Sequence, residues 1–318
     1  MFWSNTTFDP AKDMNDLNGK VAIVTGSNTG IGYAVVNGLA RGGAKVYMAA
    51  RNEAKATDAI AALEANGVKP GSVVWLKLEL SDLNEVKKAA EEFMSKETRL
   101  DILINNACLM IKTEDQQMIN GVPDIMVTNH FGHFVFVQTL LPLLIKTTQE
   151  PDADVRIINV SSDAHHYIKE ARFKTIEDLG LEWKPGFSAG MVRYGHTKLA
   201  NVLFTNELQR RFDEDNTPII AMSLHPGVVL TFAESLPFRA ITEPIFRLFA
   251  STPDMAARTS LFAAASPIPR EKLETFKAAY VVPTGQGGKK SKVAADPDLG
   301  KDLWELTEKV LKEHFSSE

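Results

Sequence analysis

Short apolar runs rich in β-branched residues recur along the chain, and helical patterns separate them. The runs at 20–25, 44–50, 73–80, 101–107, 155–162 and 218–224 are each four to eight residues long and closed by turn or cap residues. Near-continuous apolar runs of this length predict buried parallel strands. A seventh run stands at 278–282. Between them, 33–41, 53–66, 123–146, 191–212 and 302–314 carry apolar residues at three- and four-residue steps, which predicts helices. Ser81 and Asp82, with Glu85 behind them, predict one more helix start. Strands alternating with helices predict a doubly wound three-layer α/β fold with a parallel sheet of about seven strands. A polar lead-in covers 1–17, and 18–318 reads as one domain without repeat or linker. The stretch 232–266 is apolar, with Phe238, Ile245, Phe246, Leu248 and Phe249 clustered in it.

Composition narrows the class of function. Apolar residues make up 44% and charged residues 24% of 318, as in an ordinary globular enzyme or binding protein. A net charge of −5 gives no footprint for nucleic acid or an anionic membrane. No stretch approaches the roughly 18 uncharged apolar residues of a membrane span. The single cysteine, Cys108, excludes an internal disulfide framework, and no secretory signal is visible. A cytoplasmic protein is the expectation.

Two motifs carry chemistry. The first strand run ends at Thr25 and leads into Gly26-Ser27-Asn28-Thr29-Gly30-Ile31-Gly32, directly before a helix. Glycines at a strand-to-helix turn let the backbone approach a ligand and leave N–H groups free at a helix start, where a pyrophosphate is stabilised. The second motif is Tyr194 and Lys198, four residues apart on a predicted helix. That spacing puts both on one face. A neighbouring cation is expected to lower the phenol's pKa, fitting the tyrosine for proton exchange with a carbonyl or alcohol oxygen.

Together these motifs resemble the short-chain dehydrogenase/reductase family, over about residues 18–282. Thr25 to Gly32 matches its Thr-Gly-x3-Gly-x-Gly turn, and Tyr194-x3-Lys198 its catalytic pair. The wording is most similar to the retinol dehydrogenase and carbonyl reductase branch. The resemblance implies a Rossmann-type fold and a set of roles. Tyr194 is the acid/base, and Lys198 lowers its pKa and holds the nicotinamide ribose. Ser162, with Ser161 as fallback, polarises the substrate oxygen, and Asn129 holds a water in a proton relay. Glu79 and Leu80 border the adenine, Asn106 and Ala107 border the cofactor, and Pro226, Gly227, Val229 and Thr231 meet the carboxamide end. Cys108 stands where the family has glycine. Against the family's shorter members 163–192 is a substrate-side insertion, and 232–266 falls on the family's variable substrate cap, with a subunit interface or a membrane-surface patch as the other readings.

Cofactor choice is read at the end of the second strand run. Ala50 replaces the acid that would grip a ribose diol, and Arg51 follows as a cation for a 2′-phosphate. NADP(H) is therefore expected over NAD(H), with Ser27 as a further hydroxyl donor. The expected reaction is hydride transfer between NADP(H) and an apolar aldehyde, ketone or alcohol. A reductase of conjugated double bonds and a catalytically silent dinucleotide sensor are the alternatives. The expected partner is a small molecule, and a homodimer or homotetramer is left open. His130 and His133 lack a ligand-type partner and read as packed histidines rather than a metal site. Phe173, Trp183, Phe187 and Met191 in the insertion suggest an apolar substrate wall or lid, with a loop packed on its own aromatics as the other reading. The Gly/Lys stretch 285–292 reads as a solvated loop.

Overall fold

The computed structural model describes residues 8–110, 117–180, 187–227, 251–283 and 285–316. The strands of the main sheet are β1 (Val21–Thr25), β2 (Lys45–Ala50), β3 (Val73–Lys77), β4 (Ile102–Asn105), β5 (Arg156–Val160), β6 (Ile220–Leu224), β7 (Tyr280–Val282) and β8 (Gln286–Gly287). They form one sheet in the order β8-β7-β6-β5-β4-β1-β2-β3, parallel except for the β7–β8 pair. The sheet thus has eight strands, one more than expected, because the 285–292 stretch turns back on β7 as a two-residue antiparallel edge. That stretch is also tethered rather than freely solvated. Lys290 Nζ donates to Asn206 Oδ1 at 2.6 Å, and the Ser291 N–H donates to His165 Nε2 at 3.2 Å.

The main helices are α1 (Gly30–Arg41), α2 (Glu53–Ala65), α3 (Leu83–Lys96), α4 (Gly132–Thr147), α5 (Phe187–Glu214), α6 (Pro253–Ala265) and α7 (Pro297–Ser316). The sheet divides two cores. One holds Val35, Leu39 and Leu63 with Leu261 and Phe262 of α6. The other holds Phe93, Phe136, Leu140, Leu203, Phe204 and Trp304, from α3, α4, α5 and α7. Strand residues alternate between the two: Ala22 and Val24 face the first, Val21 and Ile23 the second.

The strand order reverses between β1 and β4, and ligands of such sheets bind outside the carboxyl ends of the strands at this switch point. Two elements there depart from the pattern. The expected 123–146 helix is interrupted by a π segment, Val127–Phe131, which contains Asn129. Widened turns of this type are rare and gather at functional sites. The strand expected at 73–80 ends at Lys77, and Leu78 and Leu80 continue as buried loop residues. Val229, Thr231, Trp183 and 232–250 of the expected cap lie outside the described residues, as does the side chain of Phe187. The described end of that cap contains α6, whose face packs into the core.

Candidate active site

A cavity of about 650 Å³ opens along the ends of β1, β2, β4, β5 and β6. Its floor is the glycine turn. At Gly26, φ is +62°, and a Cβ would lie 2.8 Å from the Cα of Ala107. A Cβ on Gly32 would lie 2.7 Å from Asn106 Nδ2, Gly26 O and Ser27 Cα. Side chains are excluded, so the turn lies directly against the end of β4. Thr29 sits at the N-cap of α1 without a side-chain cap bond, and the first turn holds no acidic residue. Its N–H groups are left for a ligand, and the helix dipole favours an anion.

Thr25 ties these parts together. Its Oγ1 accepts from the backbone N–H of Asn106 and of Ala107, both at 2.9 Å, and lies 3.0 Å from His133 Nε2. With both lone pairs used, the hydroxyl donates to Nε2. His133 is therefore neutral with its proton on Nδ1, which faces Asn129 O at 3.3 Å. Burial also pushes its pKa down, to about 4. His130 is neutral for a related reason. Thr307 Oγ1 donates to Leu303 O, so His130 Nε2–H donates to Thr307 Oγ1 at 2.9 Å, and burial lowers its pKa to about 3. Both histidines are packed side chains. Among the described residues no cluster of three or more His, Cys, Asp or Glu could hold a metal.

Tyr194 and Lys198 lie on α5, nearly buried at 7% and 1% exposure, and both line the cavity. The lysine Nζ is 5.5 Å from the centre of the tyrosine ring and donates to Val160 O at 2.8 Å. Ser162, not Ser161, has its hydroxyl at the phenol; Ser161 Oγ is spent on Lys198 O at 2.7 Å. The expectation of a lowered phenol pKa does not hold for the protein alone. Burial pushes Tyr194 well above its ordinary value, the Cys108 thiol beside it adds to this, and the Ser162 hydrogen bond opposes it. Burial likewise lowers the Lys198 ammonium. Desolvation is the largest of these influences.

Asn129 is fully buried. Its Oδ1 accepts from Leu109 N at 2.7 Å, and its Nδ2 donates to Leu109 O and Thr197 Oγ1, each at 3.0 Å. These bonds fix the 107–110 segment against α5. Ser27 is a correction. Its hydroxyl turns inward to Val24 O at 2.7 Å and does not line the cavity. Phe173 packs internally. It is buried in the core and stacked on His196 at 5.1 Å, away from any substrate wall.

The other expected residues converge. Gly26, Asn28, Thr29, Gly30, Ile31, Gly32, Arg51, Glu79, Leu80, Asn106, Ala107, Pro226 and Gly227 all line the cavity. Glu79 also accepts from Ser81 Oγ at 2.8 Å. Sequence reasoning passed over Thr25 and Thr197 as site residues, although a hydroxyl in an otherwise apolar run signals a buried hydrogen-bond node. It also passed over Asp163 and His225, which line the same space. Around Tyr194 the wall is Cys108, Leu109, Met110, Ala164, Tyr167 and Met191.

Residues 20–171 match the family model described as short chain dehydrogenase. The chain is 44% identical over 308 residues to a short-chain dehydrogenase/reductase of Armillaria gallica, covering 94% of this chain and 95% of that protein. It is 34% identical over 307 residues to an uncharacterized oxidoreductase of Schizosaccharomyces pombe, covering 95% and 87%. The crystal structure of an uncharacterized protein from Mycobacterium paratuberculosis has a TM-score of 0.72 at 28% identity, covering 96% and 97%. The NADPH-bound carbonyl reductase from chicken fatty liver shares the fold, with a TM-score of 0.62 at 23% identity, covering 86% and 100%. The chain belongs to the short-chain dehydrogenase/reductase family and is an oxidoreductase. Among the described residues, no helix is long and apolar enough to cross a membrane.

Proposed function

We propose that the protein is an NADP(H)-dependent reductase of neutral, largely apolar aldehydes or ketones. The observation that carries this is the convergence of Tyr194, Ser162 and Lys198 on one cavity wall, with the Lys198 Nζ 5.5 Å from the centre of the buried Tyr194 ring. Reduction needs a proton donor, whereas alcohol oxidation needs a proton acceptor. A tyrosine hydroxyl is protonated at neutral pH, so Tyr194 can supply that donor.

The residues present fit a nicotinamide dinucleotide. The bare glycine turn and the uncapped α1 start suit a pyrophosphate, and Arg51 at the end of β2 suits a 2′-phosphate. When bound, the dinucleotide supplies the hydride that a side chain cannot. The chain's own groups do the rest. Ser162 Oγ donates a hydrogen bond to the carbonyl oxygen and polarises it. Tyr194 Oη transfers its proton to that oxygen as negative charge develops there. The phenolate left behind is stabilised by the Lys198 ammonium, which the Val160 carbonyl holds in place. Asn129 acts as a positioning residue, fixing Leu109 and Thr197 so that the wall and α5 keep their spacing.

Loss of reduced-nicotinamide absorbance with a panel of aldehydes and ketones tests the reading. Turnover of carbonyls with NADPH is expected. Turnover of conjugated double bonds alone, or dinucleotide binding without turnover of anything in the panel, would overturn it.

A further inference from the structure

Asp163 follows Ser162 in the chain and lines the same cavity. Its side chain is 57% exposed. One oxygen, Oδ1, accepts from Tyr280 Oη at 2.8 Å. The other, Oδ2, lies 3.6 Å from His225 Nε2, too far for a normal hydrogen bond. His225 does not neutralise it by charge, because burial lowers the pKa of that imidazole. Tyr280 stays a donor, because burial and Asp163 itself raise its pKa. Among the described residues no lysine or arginine is within ion-pair distance of Asp163. Among the described residues lining the cavity the lysine and arginine side chains are Lys198, whose Nζ donates to Val160 O, and Arg51 at the end of β2. An ionised carboxylate has about four acceptor positions; Tyr280 takes one here, and the side chain is otherwise largely exposed.

We infer that Asp163 is a substrate-recognition residue, accepting a hydrogen bond from a hydroxyl or amine donor on the carbonyl substrate and excluding anionic substrates. This rests on the carbonyl-reduction reading. The donor group belongs near the reacting carbonyl, since Asp163 adjoins the serine that polarises it. An anionic substituent at the same place would face a carboxylate that no described lysine or arginine pairs with. The assignment adds a chemical class: uncharged or cationic carbonyl compounds bearing a hydrogen-bond donor, on an otherwise apolar frame.

Asp163 also opens the short helical turn Asp163–Tyr167 and holds Tyr280, so a purely structural role must be separated from recognition. Asp163→Asn does this, because it keeps the size and an acceptor for Tyr280 but removes the charge. The probes are benzaldehyde, its meta-hydroxymethyl derivative and its meta-carboxylate, compared by kcat/KM ratios in the wild type, Asp163→Asn and Asp163→Ala. A hydrogen bond to a charged group predicts that the wild type favours the hydroxymethyl over the parent by about tenfold. The carboxylate should fall below the parent by a similar factor. In Asp163→Asn the penalty on the carboxylate should vanish, and in Asp163→Ala both ratios should approach one. Wild-type turnover of the carboxylate equal to that of the hydroxymethyl compound would overturn the assignment, as would unchanged ratios in Asp163→Asn. Fluorescence titration with NADPH supplies the second readout. Weakened NADPH binding in Asp163→Asn with unchanged substrate ratios would put the residue on the cofactor side, leaving carbonyl reduction standing. Consumption of neither NADPH nor NADH with all three probes would overturn both readings together.

Discussion

Arg51→Ala isolates the residue on which the cofactor assignment turns. Arg51 follows directly on β2, is exposed, and lines the cavity. Among the described residues it has no acidic partner within ion-pair distance. Glu79, the acid on the same stretch of wall, is engaged by Ser81. Its neighbour Ala50 is buried at the strand end, with its carbonyl taken by Trp75 Nε1 at 3.0 Å, and has no group to accept from a ribose diol. A hydrogen bond to a charged partner contributes about 1.5–3 kcal/mol when well placed. Exposure and salt screening bring an open guanidinium to the lower end of that range. One such bond corresponds to roughly tenfold in affinity. Ser27 adds nothing, since its hydroxyl is committed to Val24 O. Fluorescence titration should therefore show NADPH binding weakened on the order of tenfold in Arg51→Ala, with NADH nearly unchanged. The difference should shrink as salt is raised. Equal weakening of both cofactors, or tighter NADH binding by the wild type, would refute the reasoning.

Three other outcomes follow from the same contacts. The folded imidazoles of His130, His133 and His196 take up protons only near pH 3–4, whereas unfolded ones do so near 6.5. The unfolded state thus binds more protons as pH falls from 6.5 to 4. Stability should drop across that window, by roughly 1.4 kcal/mol per histidine per pH unit, and urea midpoints at pH 7, 6 and 5 check it. A flat profile would contradict the neutral buried state. Asn129→Ala removes three hydrogen bonds from a fully buried site and should destabilise by about 2–4 kcal/mol in urea unfolding, with turnover falling as Leu109 and Thr197 lose their spacing. Phe173→Ala should cost about 3–5 kcal/mol while leaving relative rates across small and bulky carbonyls unchanged; a shifted substrate range would restore the lid reading.

The strands were legible because each is a short β-branched run closed by a turn, and a sheet buried on both faces needs such runs. The glycine turn and the Tyr194–Lys198 pair were legible because their chemistry depends on local spacing. What stayed hidden was set by contacts between distant segments. The π turn at Asn129 has no local pattern, since it accommodates bonds from Asn129 to Leu109 and Thr197. Phe173 was open between a substrate wall and internal packing, because composition cannot tell which core an aromatic enters. Lys198 is visible four residues away in the sequence, whereas the burial that raises the phenol pKa in the protein alone comes from the surrounding fold and has no local signal. Ser27 belongs to the glycine motif by position, yet its rotamer answers to Val24 O.

The central claim is that Tyr194 gives the proton in a reduction carried out by this cavity. Single-turnover consumption of bound NADPH by a carbonyl substrate, in the wild type and Tyr194→Phe, tests it most directly. The phenylalanine keeps the ring and its packing and removes only the donor. NADPH affinity should stay close to wild type while the reduction rate falls by about 10²–10⁴-fold. A Tyr194→Phe enzyme that reduces the carbonyl at the wild-type rate would contradict the account.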